Sequence, residues 1–133
     1  NIASRENGDN MKRSLTLPKS RRLLDQAEFK RVYDHGIHCN DRTLVLNLCT
    51  NDLGHNRLGL SISKQVGNAV VRNLWKRRIR EAFRCSQQHH QGGFDIVVRP
   101  RRDATCDSQA IDTSLNQLIL QAIQQLSSHN NKS

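Results

Sequence analysis

Asn73, Lys76, Arg77, Arg80 and Arg84 recur at intervals of one to four residues, and side chains three or four apart on a helix stand about 5–6 Å from one another on one face. Interleaved with them, Val71, Trp75, Ile79, Ala82 and Phe83 fall on the opposite, apolar face. Like charges held so close repel, so the ladder costs helix stability unless an anion neutralises it. Arg72 stands at its start. Guanidinium groups fork onto phosphate oxygens while lysine acts as a point charge. Asn73 adds a donor and an acceptor suited to a base edge, a 2′-hydroxyl or a metal-bound water. The chemistry of this run is recognition of a phosphate-rich partner.

Residues for covalent chemistry are poorly placed by comparison. A metal-dependent nuclease needs clustered carboxylates to hold Mg²⁺, and the acidic residues are scattered, with Glu81 lying among arginines as a local ion-pair partner. A metal-free ribonuclease needs histidines paired for proton transfer. His35, His38, His55, His89 and His90 show no such spacing, and His89-His90 has no cysteine at zinc-ligand distance in sequence. The four cysteines form no Cys-x-x-Cys pair and follow no apolar leader, which predicts free thiols in a reducing cytosol.

The bulk numbers agree with a binding role. A formal charge of +9 and a pI near 10.1 favour a polyanionic partner. Fifteen of the 21 basic residues are arginine, the residue matched to phosphate and base stacking. A chain of 133 residues fits one domain with one modest core, and no apolar run is long enough to span a bilayer.

To position the ladder, the remaining pattern supplies a sheet and further helices. Residues 1–20 are polar and basic and read as a flexible extension; Met11 followed by Lys-Arg-Ser-Leu would serve as a start, leaving residues 1–10 as an added segment. Asp25 and Glu28 have capping-box spacing ahead of a short helix that carries Phe29, Val32 and Tyr33 on one face and stops at Gly36. Thr43 to Thr50 reads as a strand and Arg57 to Ser63 as a second, with Leu58, Leu60 and Ile62 on one side. The basic helix runs from about Asn68 to about Gln88. Phe94 to Arg99 makes another strand before Pro100. A last helix, capped by Asp107 or Ser108, carries Ile111, Leu115, Leu118, Ile119, Ala122 and Leu126 as its apolar stripe. Residues 127–133 read as a frayed tail. The fold class is α+β, a small sandwich of helices on a sheet.

Arg57, Gly59, Lys64, Gly67, Ala69, Val70, Arg72, Asn73, Lys76, Arg77, Arg80, Glu81 and Phe83 form thirteen matches over 27 positions to a pattern of one known family. The segment resembles the protein component of bacterial ribonuclease P, which assists the RNA-catalysed removal of 5′ leaders from precursor tRNA. The run from Glu28 to Gly36 is similar to that family's first helix and Asp95 to Pro100 to its late strand, so the resemblance covers about residues 21–126. Two positions depart from it: Leu74 stands where an arginine is usual, and Gln65 where a second lysine is.

The resemblance implies an αβββαβα two-layer sandwich, like a domain of a ribosomal protein, with a left-handed crossover around the basic helix. Segment 37–50 must then supply one bent strand or two. It implies docking on a catalytic RNA through Arg72, Asn73, Lys76, Arg77, Arg80 and Arg84. It further implies that single-stranded leader lies along a cleft beside Phe29 and Tyr33. Val45, Ser61 and Lys64 form the floor and rim of that cleft, and Arg22, Arg57 and the adjacent Arg21 contribute cations. Such a cleft tolerates many sequences, because every base offers a stacking face. Mg²⁺ would be held mainly by the RNA subunit, which does the chemistry, and no residue of the chain is expected to be catalytic. Partners would be that RNA and precursor tRNA, in the cytoplasm, with no membrane and no obligate protein partner. Two rival readings share the composition: a ribosomal or general RNA-binding protein, and a small nuclease active without RNA.

Overall fold

Leu44, Leu46 and Leu48 alternate with Val45, Asn47 and Cys49, and a period of two sends the two sets to opposite sides of a sheet. In the computed structural model, which describes residues 17–86 and 92–132 and side chains of the last helix as far as Ser128, this strand is central. The elements follow as α1 (Gln26–His35), β1 (Ile37–Asn40), β2 (Leu44–Thr50), β3 (Arg57–Leu60), α2 (Ala69–Ser86), β4 (Phe94–Pro100) and α3 (Ser108–Lys132). The sheet order is β1-β2-β4-β3. The β1–β2 and β2–β4 pairs are antiparallel, while β3 and β4 run parallel. The basic helix α2 therefore sits in the crossover between two parallel neighbours, and the order αβββαβα is the one the resemblance implies.

The sheet is dressed unequally. Leu44, Leu46, Leu48, Leu58, Ile96 and Val98 face α2 and α3, where they bury Trp75, Ile79, Phe83, Ile111, Leu115 and Ile119 in the main core. Across the sheet α1 covers a smaller cluster of Leu23, Val32, Cys49 and Val97, with Phe29 packed against it. The remainder of that face, toward Val45 and Arg99, is only half-buried. All four cysteines are free, and no described helix is long and apolar enough to cross a membrane.

Several boundaries differ from the sequence expectation for identifiable reasons. Segment 37–50 forms two strands, because Asp41 Oδ1 accepts from the N–H groups of Thr43 and Leu44 at 2.9 and 3.0 Å and folds the chain back. The Ser114 hydroxyl on α3 donates to the same oxygen at 2.8 Å and ties this turn to the last helix. β3 ends at Leu60 rather than Ser63, whose Oγ instead accepts from Gln65 N–H at 3.0 Å in the short turn Lys64–Val66. Asp25 makes no side-chain cap; Glu28 does reach back, but to Leu24 N–H at 3.3 Å. The final helix continues to Lys132, past the last apolar position at Leu126, where the sequence reads as a frayed tail from Ser127. Residues 1–16 of the expected extension, and the His89-His90 pair, lie outside the described residues.

Gly36 ends α1 where two backbones meet. A Cβ there would lie 2.4 Å from the Val32 carbonyl oxygen and 2.8 Å from that of Leu48, and neither can move without disturbing α1 or β2. Gly36→Ala is expected to destabilise the fold by about 1–3 kcal/mol, read as a lowered midpoint in chemical denaturation.

Candidate nucleic-acid interface

The apolar side of α2 is committed to the core, which fixes the direction of its cations. Trp75, Ile79, Ala82 and Phe83 are buried. Asn68 caps the helix, its Oδ1 accepting from Val71 N–H at 3.0 Å. On the other side Asn73, Arg77 and Arg84 are exposed, and Arg72, Lys76 and Arg80 are half-buried. None of the five cations enters an ion pair among the described residues. Val71, expected on the apolar face, is exposed because the first turn of α2 projects beyond the core. Glu81 is exposed and joins none of those ion pairs, contrary to its reading as a local partner. Arg78 donates to the Cys106 carbonyl ahead of α3 and so braces the fold.

Arg80 and Arg22 come into each other's reach, although the resemblance assigned them to different ligands. Burial, then the charge of Arg22, pulls the Arg80 guanidinium below its ordinary range. The Arg22 Nε is itself buried without a hydrogen-bond partner, on a residue bridged to Leu58 of β3. Two cations that disfavour each other's charge form a place where an anion is stabilising.

The aromatic pair divides its labour. Phe29 lies across Gly59, where a Cβ would stand 2.8 Å from the ring, so the absence of a side chain on β3 is what lets α1 approach. Tyr33, one turn on, is 40% exposed. Both line a hollow of ≈ 470 Å³ with Leu60 and Ser61. Ser61 also borders a second hollow, of ≈ 600 Å³, whose walls include Val45 and Arg99. Phe29, Tyr33, Ser61 and Val45 thus lie along one track between α1 and the open part of the sheet. Lys64 is exposed in the turn after β3 but lines neither hollow, a place taken by Ser63 and Gln65.

Arg57 is not on this track. It grips Asp95 with Nε and Nη2, both at 2.8 Å, and Glu28 of α1 with Nη1 at 2.8 Å, leaving its side chain 17% exposed. The fully buried Asp95 also accepts from Asn51 at 2.8 Å and from Arg31. Arg31 in turn reaches the Thr50 carbonyl at 3.0 Å. Burial pushes the Asp95 carboxyl up, yet the hydrogen bonds of Arg57 and Asn51 and the charges of Arg57 and Arg31 hold it below the usual carboxylate range. The same carboxylates raise Arg57 above its ordinary value. A cation so engaged is a fastener between α1 and the sheet.

A sequence model of the family described as Ribonuclease P matches residues 17–123, nearly all of the framework just described. The chain belongs to the bacterial ribonuclease P protein components. It is 34% identical over 112 residues to the ribonuclease P protein component of Petrotoga mobilis, covering 84% of this chain and 95% of the relative. The Staphylococcus aureus protein component is 39% identical over 94 residues, 68% of this chain and 80% of the other. Among solved structures, a Staphylococcus aureus RNase P protein superposes with a TM-score of 0.70 at 38% identity, over 78% of this chain and 96% of that one. The Thermotoga maritima RNase P protein gives 0.67 at 29% identity, over 74% and 94%. The chain is thus a protein component of a tRNA-processing ribonuclease, and an RNA partner follows from that membership.

Within this ribonuclease P protein component, sequence reading missed Asp95 as the hub. The available signal was a lone carboxylate at the start of an otherwise apolar strand, Phe94-Asp-Ile-Val-Val, where burial demands a partner. Asp95→Asn is expected to cost about 3 kcal/mol or more, since it removes the buried carboxylate that Arg31 and Arg57 share. A carboxyl depressed in the folded state stabilises at neutral pH, and that stability is lost as pH falls below about 5. Unfolding free energies measured from pH 7 to 3 should fall for the native chain and show a flatter acid limb for Asp95→Asn.

Proposed function

We propose that this chain serves ribonuclease P as a non-catalytic RNA clamp. In this reading α2 docks on the catalytic RNA through Arg72, Asn73, Lys76, Arg77, Arg80 and Arg84, while the track along Phe29, Tyr33, Ser61 and Val45 holds the single-stranded 5′ leader of precursor tRNA. Lys64 and Arg22 stand at its margins, and Arg57 acts on the leader only by holding α1 in place. The observation that carries the reading is the asymmetry of α2, whose apolar side is buried in the core while its ladder of cations lacks carboxylate partners among the described residues.

Hydrolysis of the phosphodiester is assigned to the RNA subunit, with Mg²⁺ held mainly there, and the complex works in the cytoplasm. The protein contributes discrimination instead. A leader is present on the precursor and gone after cleavage, so contacts to it favour substrate over product. An open aromatic and hydroxyl-lined track accepts leaders of differing sequence, because stacking is available from every base.

Two measurements test the division of labour. Replacing Lys76, Arg77 and Arg80 by Ala should weaken binding to catalytic RNA and flatten its salt dependence by about 0.7–0.9 log units per lost phosphate contact; an unchanged slope would show that these side chains meet only solvent. Tyr33→Ser should leave RNA docking intact and weaken precursor binding by about 1–3 kcal/mol, with mature tRNA unaffected. Equal loss for precursor and mature tRNA would remove the leader from this face.

A further inference from the structure

The apolar side chain of α2 that points furthest from the core is one the fold does not bury. At about 100° per residue, Val70 stands about 180° around the helix from Ile79, which is fully buried. Val70 is accordingly 76% exposed. Leu74, one turn on and about 40° away, is half-buried. The third apolar side chain at this end, Val71, lies over Gly67: a Cβ on that glycine would stand 2.8 Å from Val71 Cγ1. Val70 and Leu74 are left as an outward apolar step, about 5–6 Å apart as neighbours at i and i+4.

Hydrogen-bond donors surround this step. Asn73 and Arg77 lie on the same side of the helix and are exposed, and Arg77 enters no ion pair among the described residues. A single exposed valine is ordinary, but an apolar pair set among such donors fits a ligand that is itself part apolar and part anionic. A second copy of this chain is disfavoured as the cover, because a two-fold contact would set like cations against each other. An RNA duplex hides its base faces by stacking and offers phosphates and 2′-hydroxyls, which an apolar step cannot use. An unpaired nucleotide offers a base face between two phosphates. Leu74 stands where the family's arginine is usual, so the chain exchanges a charged contact for an apolar one at this point.

We propose that Val70 and Leu74 seat an unpaired nucleobase of the catalytic RNA, with Asn73 and Arg77 on its sugar–phosphate backbone. This rests on the reading that α2 docks on that RNA, and adds that the docked element is single-stranded where it meets the first turns of the helix. The apolar contact is insensitive to salt, since it releases no counterion.

Equilibrium binding of the full chain to a bacterial ribonuclease P RNA, measured across a range of monovalent salt, tests it. Val70→Ser should weaken binding about five- to tenfold, with the salt slope and the thermal unfolding midpoint unchanged. Leu74→Arg should steepen the slope by about 0.7–0.9. Dimethyl sulfate and a carbodiimide together report unpaired bases of all four kinds; they should find a base protected by the native chain and exposed again with Val70→Ser. Native affinity in Val70→Ser, beside a loss in the Lys76→Ala, Arg77→Ala, Arg80→Ala variant, overturns the base seat and leaves the docking of α2 standing. Native affinity in both removes α2 from the interface, and the seat with it. Weakened binding without a re-exposed base overturns the nucleobase as occupant. Self-association of the native chain without RNA that Val70→Ser abolishes would assign the step to a second copy instead.

Discussion

A buried carboxylate with three partners holds this protein in its working shape. Asp95 is fully buried yet accepts hydrogen bonds from Arg31, Arg57 and Asn51, which belong to α1, β3 and the turn after β2. Isolated in an apolar interior such a charge would be prohibitive, so the three partners must arrive together. Through Arg57 the pairing extends to Glu28. The first helix is therefore bolted to the sheet at a fixed height, and that height sets the width of the track in which Tyr33 is exposed. Gly59 completes the fit by giving Phe29 room.

The same arrangement sorts the arginines by role. Arg31, Arg57 and Arg78 are turned inward to carboxylates or carbonyls. Arg72, Arg77, Arg80 and Arg84 on α2 enter no ion pair among the described residues, and Arg42, Arg99, Arg101 and Arg102 gather around a hollow at the far end of β2 and β4. Net charge alone does not separate these groups; register does. Arg57 lies directly opposite Asp95 across a parallel pair, whereas Arg99 lies opposite Val45 and enters no ion pair among the described residues.

Much of this was legible in the chain because the signals were local. The 3.6-residue period of Trp75, Ile79 and Phe83 predicted both the burial of one side of α2 and the exposure of Asn73, Arg77 and Arg84. The apolar stripe of α3 and the alternation along β2 were equally plain. What escaped was non-local or too short. The four residues of β1 carry hardly one period of alternation, and a turn closed by Asp41 resembles any polar loop until Ser114 arrives from α3. Arg57 pairs with a residue 38 positions away and Glu81 joins no ion pair among the described residues, neither of which a spacing rule reveals. Arg99 looked like the end of a strand, and only the neighbouring turns make it part of a cationic wall.

The account rests on the chain providing surfaces while its RNA partner provides the reaction. The most direct trial is reconstitution with a bacterial ribonuclease P RNA at limiting Mg²⁺, following release of the 5′ leader from precursor tRNA. RNA alone should react slowly, the pair should react much faster, and the purified protein alone should release nothing. Leader release by the protein without RNA would contradict the account outright.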